Sequence, residues 1–373
     1  MTRRLSYTSR ARQFNARHPL FSQILAQVVF WTGVNILLAS IIYLQTISVN
    51  LQHGIATEEM KLSVVGLICL FMALFYGTTQ GLLDYSLEKY FFRKVSLGRI
   101  IVIKTVISLI LLIMLFALVH YVLAATFIAP LFPRDYQSFT EENWSYLFYQ
   151  FTIFYFFMTI VLSFILEVNK KFGPGVLLPI LLGKYRSPRT EERIFLFMDL
   201  RSSTSIAEAL GHLHYSGFIR DSFLDINQLL NNYSAEIYQY VGDEIVLSWQ
   251  VGEGIKDLAC VNFFFACEER FREREDYYLS TYGQVPNFKA GLHMGPVTAV
   301  EIGKVKVDIA YHGDTINVAA RIQSKCNEYQ KKFLTSDHFL EQSGADRHFK
   351  THSLGQIQLK GKANSIGISS IER

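Results

Sequence analysis

The chain has 373 residues, half of them apolar, and a formal net charge of +4 at pH 7. This length is enough for two domains, and the small positive charge sits beside apolar segments, so it gives no indication of nucleic-acid binding. The four cysteines show neither Cys-x-x-Cys nor Cys/His metal spacing, which argues against a zinc-finger or redox-motif protein.

Long runs without Asp, Glu, Lys or Arg occupy the first half of the chain. A transmembrane helix needs roughly 20 mostly apolar residues to cross about 30 Å of hydrocarbon. Buried helices of soluble domains are usually shorter and carry a polar face. The pattern therefore predicts a membrane protein with a four-helix transmembrane domain over residues 1–168. The helices are expected at about residues 20–48, 62–84, 101–129 and 145–167.

Positive charges predict the orientation of these helices. They cluster before the first helix, between the second and third, and after the fourth, whereas the other two loops are mainly acidic. The positive-inside rule then places both termini in the cytoplasm. The first apolar run is too long for a cleavable signal peptide. We expect a multi-pass protein of the inner membrane, in contact with lipid, with its C-terminal half in the cytoplasm.

A juxtamembrane segment over residues 169–192 follows the fourth helix. It contains Gly173-Pro174-Gly175 and the apolar run VLLPILL, whereas passive linkers are usually polar and flexible. We interpret it as a coupling segment that transmits the state of the membrane domain. The short external loops leave the upstream signal unknown.

The soluble half, residues 193–373, alternates strand-like and helical patterns. The strand IFLFMDL is followed by a helix, and YQYVGDEIVLSW predicts a hairpin that turns at Gly242-Asp243. Further strands (FKAGLHMGPVTAVEIG and KVDIAYHG), a helix (DTINVAARIQSKCNEYQ) and a closing strand region follow. This order is typical of a mixed sheet covered by helices.

Two acidic residues stand at strand ends in this half. Asp199 ends the first strand, and Asp243 lies in the hairpin turn, where a turn residue is needed for backbone reasons alone. The helix after Asp199 opens with Ser202, Ser203 and Thr204, which can act as caps or, with the free backbone N–H groups, bind phosphate. Together the two carboxylates form a candidate site for two Mg²⁺ or Mn²⁺ ions about 4 Å apart.

A second group of polar residues lies later in the chain. Asn317 and Arg321 are four residues apart on a predicted helix and so share one face. The pair is either a solvated helix surface or an amide and a planar cation that face one anionic group. Lys360 lies in a predicted turn near the end.

The ordered set FMDLRSST, YVGDEIV, GLHMGPV, HGDTINVAARI and LKGK resembles the catalytic domain of class III nucleotide cyclases. The resemblance covers about residues 193–373 and implies an α/β (α+β) domain with a ferredoxin-like core. The membrane half and the FGPG segment are similar to those of bacterial membrane-anchored adenylate cyclases with four transmembrane helices.

The resemblance also implies roles for individual residues. Asp199 and Asp243 would hold two divalent cations, Mg²⁺ or Mn²⁺, with the carbonyl of Leu200 as a further ligand. Asn317 would orient the ribose and Arg321 would stabilise charge on the α-phosphate. Lys360 would pair with the phosphates, and Glu244 would have only a supporting role. Because the family builds each site from two chains, it implies a homodimer with two composite sites.

The residues at the two base-reading positions of the family are Gln239 and Ala310 here. Adenylate cyclases of the vertebrate type have Lys and Asp there, and guanylate cyclases have Glu at the first. Gln can donate or accept hydrogen bonds, but without Glu the guanine donors lose a charged acceptor. Asp308, on the same strand face as Ala310, could compensate in part. We therefore expect ATP as the substrate, with GTP as the alternative.

Three other interpretations remain open at this stage. A diguanylate cyclase also has a Gly-Asp-Glu hairpin, but Val241 stands where a second Gly is usual, and the Asn317/Arg321 helix has no counterpart. A catalytically weak sensor that keeps the dimer fold would be expected to have lost one of Asp199, Asp243, Asn317 and Arg321, and all four are present. The polar residues of the membrane half could line a transport path, although such residues more often form helix–helix hydrogen bonds.

Overall fold

The computed structural model describes residues 18–53, 62–90, 95–121, 141–172, 183–304, 308–358 and 365–373. Lys360 and the whole apolar juxtamembrane run VLLPILL lie outside these residues. The chain divides into two compact units, one containing His18–Val176 and the other Leu177–Arg373. Each unit is described separately below.

The described residues of the first unit form four helices, α1 (Pro19–Gln52), α2 (Leu62–Tyr90), α3 (Leu97–Leu118) and α4 (Glu141–Phe172). Among the described residues, three segments are long and apolar enough to cross a membrane, Pro19–Gln52, Gly98–Tyr121 and Glu142–Val168. These lie in the regions of the first, third and fourth predicted helices, whose bounds and membrane crossing stay predictions. The span predicted over residues 62–84 falls within α2, which is not among the three, so the four-span arrangement stays a prediction.

A buried polar cluster joins all four helices of this unit. The Lys104 ammonium lies 3.4 Å from Asp84 and 3.9 Å from Glu167, and the Gln27 side-chain amide donates a 2.6 Å hydrogen bond to Asp84. These residues come from α3, α2, α4 and α1 respectively. Removing one partner from a buried ion pair leaves an uncompensated charge, so the cluster favours one arrangement of the helices. The charge-free windows of the sequence could not predict it, because these charges lie at or beyond the window ends.

The second unit is a mixed α+β domain. Its eight strands are β1 (Arg189–Leu200), β2 (Glu236–Val241), β3 (Glu244–Gln250), β4 (Phe288–Ile302), β5 (Asp308–His312), β6 (Phe333–Ser336), β7 (Lys350–Ile357) and β8 (Ile366–Glu372). Its α-helices are α5 (Ser203–Leu229), α6 (Val251–Gly254), α7 (Ala259–Glu273), α8 (Glu275–Tyr282), α9 (Asp314–Ser324) and α10 (Asp337–Ser343). Short 3₁₀ turns lie at Leu230–Tyr233, Lys256–Leu258 and Ala345–Arg347.

The strands form one sheet in the order β2-β3-β1-β4-β6-β8-β7, with β5 paired to β4. Strands β1 to β4 with α5 and α7 give the β-α-β-β-α-β order of a ferredoxin-like core, and β1 pairs antiparallel with both β3 and β4. Strand β6 pairs parallel with β4, which makes the sheet mixed. The predicted fold of this half is confirmed, although β6, only four residues long, was not expected.

The central strand β1 has a different environment on each face. Ile194, Leu196 and Met198 belong to the core cluster under the helices of one face. Phe195 and Phe197 belong to a separate cluster that includes residues of α9. Side chains alternate along a strand, so Arg193 and Asp199 lie on the Phe195 face. This face, which we call the α9 face, carries the candidate chemistry.

The predicted hairpin is confirmed. Strands β2 and β3 pair antiparallel and are joined at Gly242-Asp243, and Gly242 has φ +61°, a conformation that favours glycine. The start of β1 at Arg189 also places residues 189–192, which we assigned to the coupling segment, in the sheet opposite β4.

Candidate active site

Asp199 is the residue before the last of β1, and its side chain is held by two neighbours. The Lys289 ammonium lies 3.0 Å from Asp199 Oδ2, and the Gln323 side-chain amide donates a 3.1 Å hydrogen bond to the same oxygen. Strand register explains the first contact, because Lys289 on β4 is the direct partner of Asp199. Asp199 is therefore a partly exposed carboxylate in a polar setting.

Two further carboxylates approach Asp199 from the β2–β3 hairpin. Glu244 is the cross-strand partner of Asp199, and Asp243 precedes it in the turn. The pKa of Glu244 is raised to about 7, first by burial and then by the negative charges of Asp199 and Asp243, while Lys289 opposes them. These mutual effects indicate that the hairpin brings its acids into the same region as Asp199. The juxtaposition predicted from the two strand ends is thereby supported.

The donor set fits a hard divalent cation. Mg²⁺ prefers carboxylate and carbonyl oxygens, which Asp199, Asp243 and the backbone carbonyl of Leu200 can supply. Repulsion among the three neighbouring acids would also be relieved by a cation. Within the described residues, however, no group of three His, Cys, Asp or Glu side chains converges closely enough to enclose a metal ion. The set therefore fits an open site that uses few protein ligands.

Helix α5 begins at Ser203, directly after the end of β1. Ser202 has φ +57° and forms no side-chain capping bond to the described first turn, so the ordinary capping role is not observed. The Ser203 side chain instead bonds Tyr215, whose pKa is raised by burial and then by the charge of Asp243. Because no side chain caps this end of α5, the backbone N–H groups of the first turn, which includes Thr204, are available for an anionic group.

Helix α9 carries Asn317 and Arg321 and packs closely on the sheet. A Cβ added to Gly291 of β4 would lie only 2.2 Å from the Gln323 backbone nitrogen, so glycine permits this approach. Gln323 is buried against Asp199, whereas Asn317 is exposed and Arg321 is half-buried. With 3.6 residues per turn, positions two apart differ by about 200°. Arg321 therefore faces away from the Asp199 of its own chain.

We expect Gly291→Ala to destabilise the domain because the new methyl group would force α9 away from the sheet. Overpacking of this kind typically costs about 1–3 kcal/mol. The midpoint of thermal unfolding of the purified protein should fall accordingly. Gly252→Ala is the matched control, since a Cβ at Gly252 meets no atom within 4 Å. Equal midpoints for the two variants would contradict the close packing of α9.

The predicted base-reading residues lie on β2 and β5. A register shift between Ile237 and Gln239 makes Tyr238 an extra residue, so Gln239 pairs with Val246 and lies on the α9 face. Gln239 is exposed and Ala310 on β5 is buried. Without this bulge, strand alternation would turn Gln239 to the opposite face. The family resemblance identified both positions, but no pattern in the sequence predicts the bulge.

Three residues of the site were missed at the sequence level: Lys289, Gln323 and Tyr215. Each reaches the acidic residues through register or helix packing, which local patterns do not encode. Lys289 had one usable signal, because a lysine inside an apolar strand is unusual unless it has a partner. Lys360 lies outside the described residues, so its predicted role stays a prediction.

The fold and its acidic end define a mixed α+β domain with carboxylates gathered at the end of its central strand. Residues 186–368 match the family model for the adenylate and guanylate cyclase catalytic domain. The second unit of this chain therefore contains a class III nucleotide cyclase catalytic domain.

The chain also resembles characterised proteins. It is 34% identical to Adenylate cyclase 2 of Rhizobium meliloti (strain 1021) over 208 residues, which are 56% of this chain and 57% of the relative. It is 22% identical to an Adenylate cyclase of Anabaena cylindrica over 187 residues, 49% of this chain and 37% of the relative. The adenylyl cyclase CyaB from P. aeruginosa matches 50% of this chain and 96% of that structure, with 18% identity and a TM-score of 0.45. The chain thus spans less than two thirds of either curated relative.

Proposed function

We propose that this protein is an adenylate cyclase that converts ATP to 3′,5′-cyclic AMP and pyrophosphate at sites shared by two copies of the chain. The observation that carries the proposal is the meeting of Asp199 with the acidic β2–β3 hairpin at one end of a cyclase-family core. The similarity to two adenylate cyclases supports ATP as the substrate class.

Asp199, Asp243 and the Leu200 carbonyl would hold two divalent cations, Mg²⁺ or Mn²⁺. When bound, such cations lower the pKa of the ribose 3′-hydroxyl and neutralise the departing pyrophosphate. The new bond joins the 3′-oxygen to the α-phosphorus, the bond from that phosphorus to pyrophosphate breaks, and the 3′-hydroxyl proton leaves to solvent. Lys289 neutralises one Asp199 oxygen, and with the cations bound it would contact a triphosphate oxygen instead.

The other proposed roles belong to residues that hold the substrate. The first-turn N–H groups at Ser203 and Thr204 would bind phosphate oxygens, with Ser202 beside them. Asn317 would orient the ribose and Arg321 would stabilise the charge that develops on the α-phosphate. Gln239 would hydrogen-bond the base beside Ala310, and Lys360 would pair with the phosphates.

The direction of α9 supports the proposed homodimer. Gln323 binds Asp199, so Arg321, about 200° away around the helix, is directed outward. An outward Arg321 could meet the acidic end of a second copy. One chain alone would then hold two incomplete half-sites, and we propose that dimerisation completes both.

We further propose that the first unit anchors the enzyme in the inner membrane by four helices, with both termini and the catalytic half in the cytoplasm. Three apolar helices of sufficient length and the distribution of Arg and Lys support this topology. Residues 169–192 would couple the membrane domain to the catalytic domain, in response to a signal that the sequence does not identify.

Product analysis tests the proposal directly. Purified full-length protein with Mn²⁺ should convert ATP to cyclic AMP and release one pyrophosphate per turnover. GTP in a parallel reaction should give less cyclic product, because no glutamate stands at position 239 to accept from guanine. Dominant cyclic GMP at equal ATP and GTP would contradict the base assignment. No cyclic nucleotide from a folded dimer would contradict the enzyme assignment.

A further inference from the structure

Arg193 is a buried arginine on the α9 face of the sheet. It lies two residues before Phe195 and on the same face of β1. Only 2% of its side chain is exposed. Arg193 lies in the central strand β1, opposite Gln250 of β3 and Gly295 of β4. Arginine is rarely buried to this extent without partners, so its contacts identify what it holds.

Its guanidinium connects four strands. Arg193 Nη1 donates to Glu236 of β2 at 2.8 Å and to Ser248 of β3 at 3.1 Å. Arg193 Nε donates to Glu191 of its own strand at 3.1 Å. The guanidinium carbon also lies 4.7 Å from the ring centre of Tyr311 on β5. We call these residues, Glu191, Arg193, Glu236, Ser248 and Tyr311, the Arg193 cluster.

The cluster lies beside the β2 bulge. Glu236 precedes Tyr238, the extra residue of the bulge, by two positions. Tyr311 contacts Tyr238 with ring centres 5.2 Å apart, and both rings contact Phe195. The Tyr311 backbone N–H also points to the Tyr238 hydroxyl at 3.5 Å. Arg193 on β1 and Tyr311 on β5 therefore both hold the segment that contains the bulge.

The positions next to these tyrosines are the two that we assign to the base. Gln239 follows Tyr238, and Ala310 precedes Tyr311. Strands β2 and β5 do not pair with each other in the described sheet; they pair with β3 and β4. The Arg193 cluster and the tyrosine contact are thus a direct side-chain link between the two strands.

We propose that Arg193 is a positioning residue for base recognition: it holds the β2 bulge and β5 so that Gln239 and Ala310 keep a fixed separation and face. This inference rests on the proposed function of the site and extends it to a residue that would not touch the nucleotide. Arginine suits the role because its planar fork can donate in several fixed directions while its face lies on an aromatic ring.

Arg193→Lys tests the proposal, since lysine keeps the buried charge but cannot contact Glu191, Glu236, Ser248 and the ring together. The ratio of kcat/KM for ATP to that for GTP should fall by about three- to tenfold, the effect of one or two misaligned hydrogen bonds. Hydrogen exchange should also become faster over residues 236–241 and 308–312. Glu236→Gln, which keeps the side-chain size, should shift the ratio in the same direction, and it decides the question if Arg193→Lys does not fold.

Arg274→Lys is the matched control. Arg274 Nη1 donates to both oxygens of Asp225, at 2.6 and 2.7 Å, and its guanidinium carbon lies 4.1 Å from the ring centre of Tyr277. It contacts α5 and α8, away from β2 and β5. This variant should lose stability without changing the ATP/GTP ratio. An unchanged ratio in Arg193→Lys and Glu236→Gln, or an equal change in Arg274→Lys, would overturn the positioning role.

Failure of the proposed function is distinguishable from failure of this inference. If the unaltered protein makes no cyclic nucleotide, the cyclase assignment fails. The ratio of dissociation constants for fluorescent ATP and GTP analogues then replaces the kinetic ratio, with hydrogen exchange as before. If the unaltered protein binds neither analogue, the inference fails together with the assignment.

Discussion

Replacing Asp199 or Asp243 with asparagine should lower cyclic AMP formation by about a thousandfold, or ~4 kcal/mol of transition-state stabilisation. Each substitution removes a negative charge from a site that has few protein ligands for its cations, while the shape of the side chain is kept. Initial rates with Mn²⁺ and ATP measure the loss. Thermal unfolding of the same preparations should show that the fold persists.

Glu244→Gln is the control for this pair. Glu244 lies beside both aspartates, but burial and the neighbouring negative charges raise its pKa to about 7, so near neutral pH it carries a full charge only part of the time. Its substitution should therefore reduce the rate much less than Asp243→Asn does. If Glu244→Gln were as damaging, Glu244 and not Asp243 would be the hairpin ligand.

Asp199→Asn has a second consequence that Asp243→Asn lacks. Lys289 is within 3.0 Å of Asp199 and has only an 11% exposed side chain, so the loss of the negative charge leaves a mostly buried ammonium without this partner. A modest drop in the unfolding midpoint is expected for Asp199→Asn alone. This difference separates the structural contribution of the ion pair from the chemistry that both aspartates share.

Local patterns were sufficient where one short segment determines the structure. The apolar strand before Asp199 and the Gly-Asp turn at Gly242 each specify their own conformation, and both are present as predicted. The order of such segments also predicted a mixed sheet covered by helices, and the resemblance to class III cyclases implied its ferredoxin-like core. Asp199 and Asp243 were therefore placed correctly at strand ends before any tertiary information.

Local patterns failed where long-range pairing decides the outcome. The bulge at Tyr238 depends on how β2 aligns with β3, and the contact of Gln323 with Asp199 joins residues 124 positions apart. The Asp84–Lys104 pair of the first unit was missed for a related reason: each charge lies at the margin of an apolar window and becomes favourable only beside the other. Strand register and helix packing are properties of the assembled fold.

Co-expressing Asp243→Asn with Arg321→Ala should restore activity that neither variant has alone. Arg321→Ala by itself should cost about 3–4 kcal/mol, or at least a hundredfold in rate, as the loss of a preorganised charge-stabilising donor does. In either homodimer both composite sites carry the lesion. In a heterodimer one site collects both lesions and the other collects neither, so one intact site remains.

The size of the rescue follows from random pairing. About half of the dimers in an equal mixture are heterodimers with one good site of two, so activity near a quarter of the unaltered level is expected. Differently tagged chains, purified through both tags in turn, isolate the heterodimer and should raise the recovered activity to about half.

A mixture of Asp199→Asn and Asp243→Asn chains is the control. Both aspartates belong to the metal-binding half of the composite site, so every pairing of these chains leaves a lesion in each site. It should stay inactive at every ratio of the two chains. The outward direction of Arg321, set by Gln323 on the opposite side of α9, is the physical basis of this asymmetry. Rescue in the control mixture would mean that Asp199 and Asp243 of one chain serve different sites. No rescue of Asp243→Asn by Arg321→Ala in isolated heterodimers would mean that each site is built within one chain. In that case α9 would have to rotate by about half a turn to bring Arg321 to Asp199.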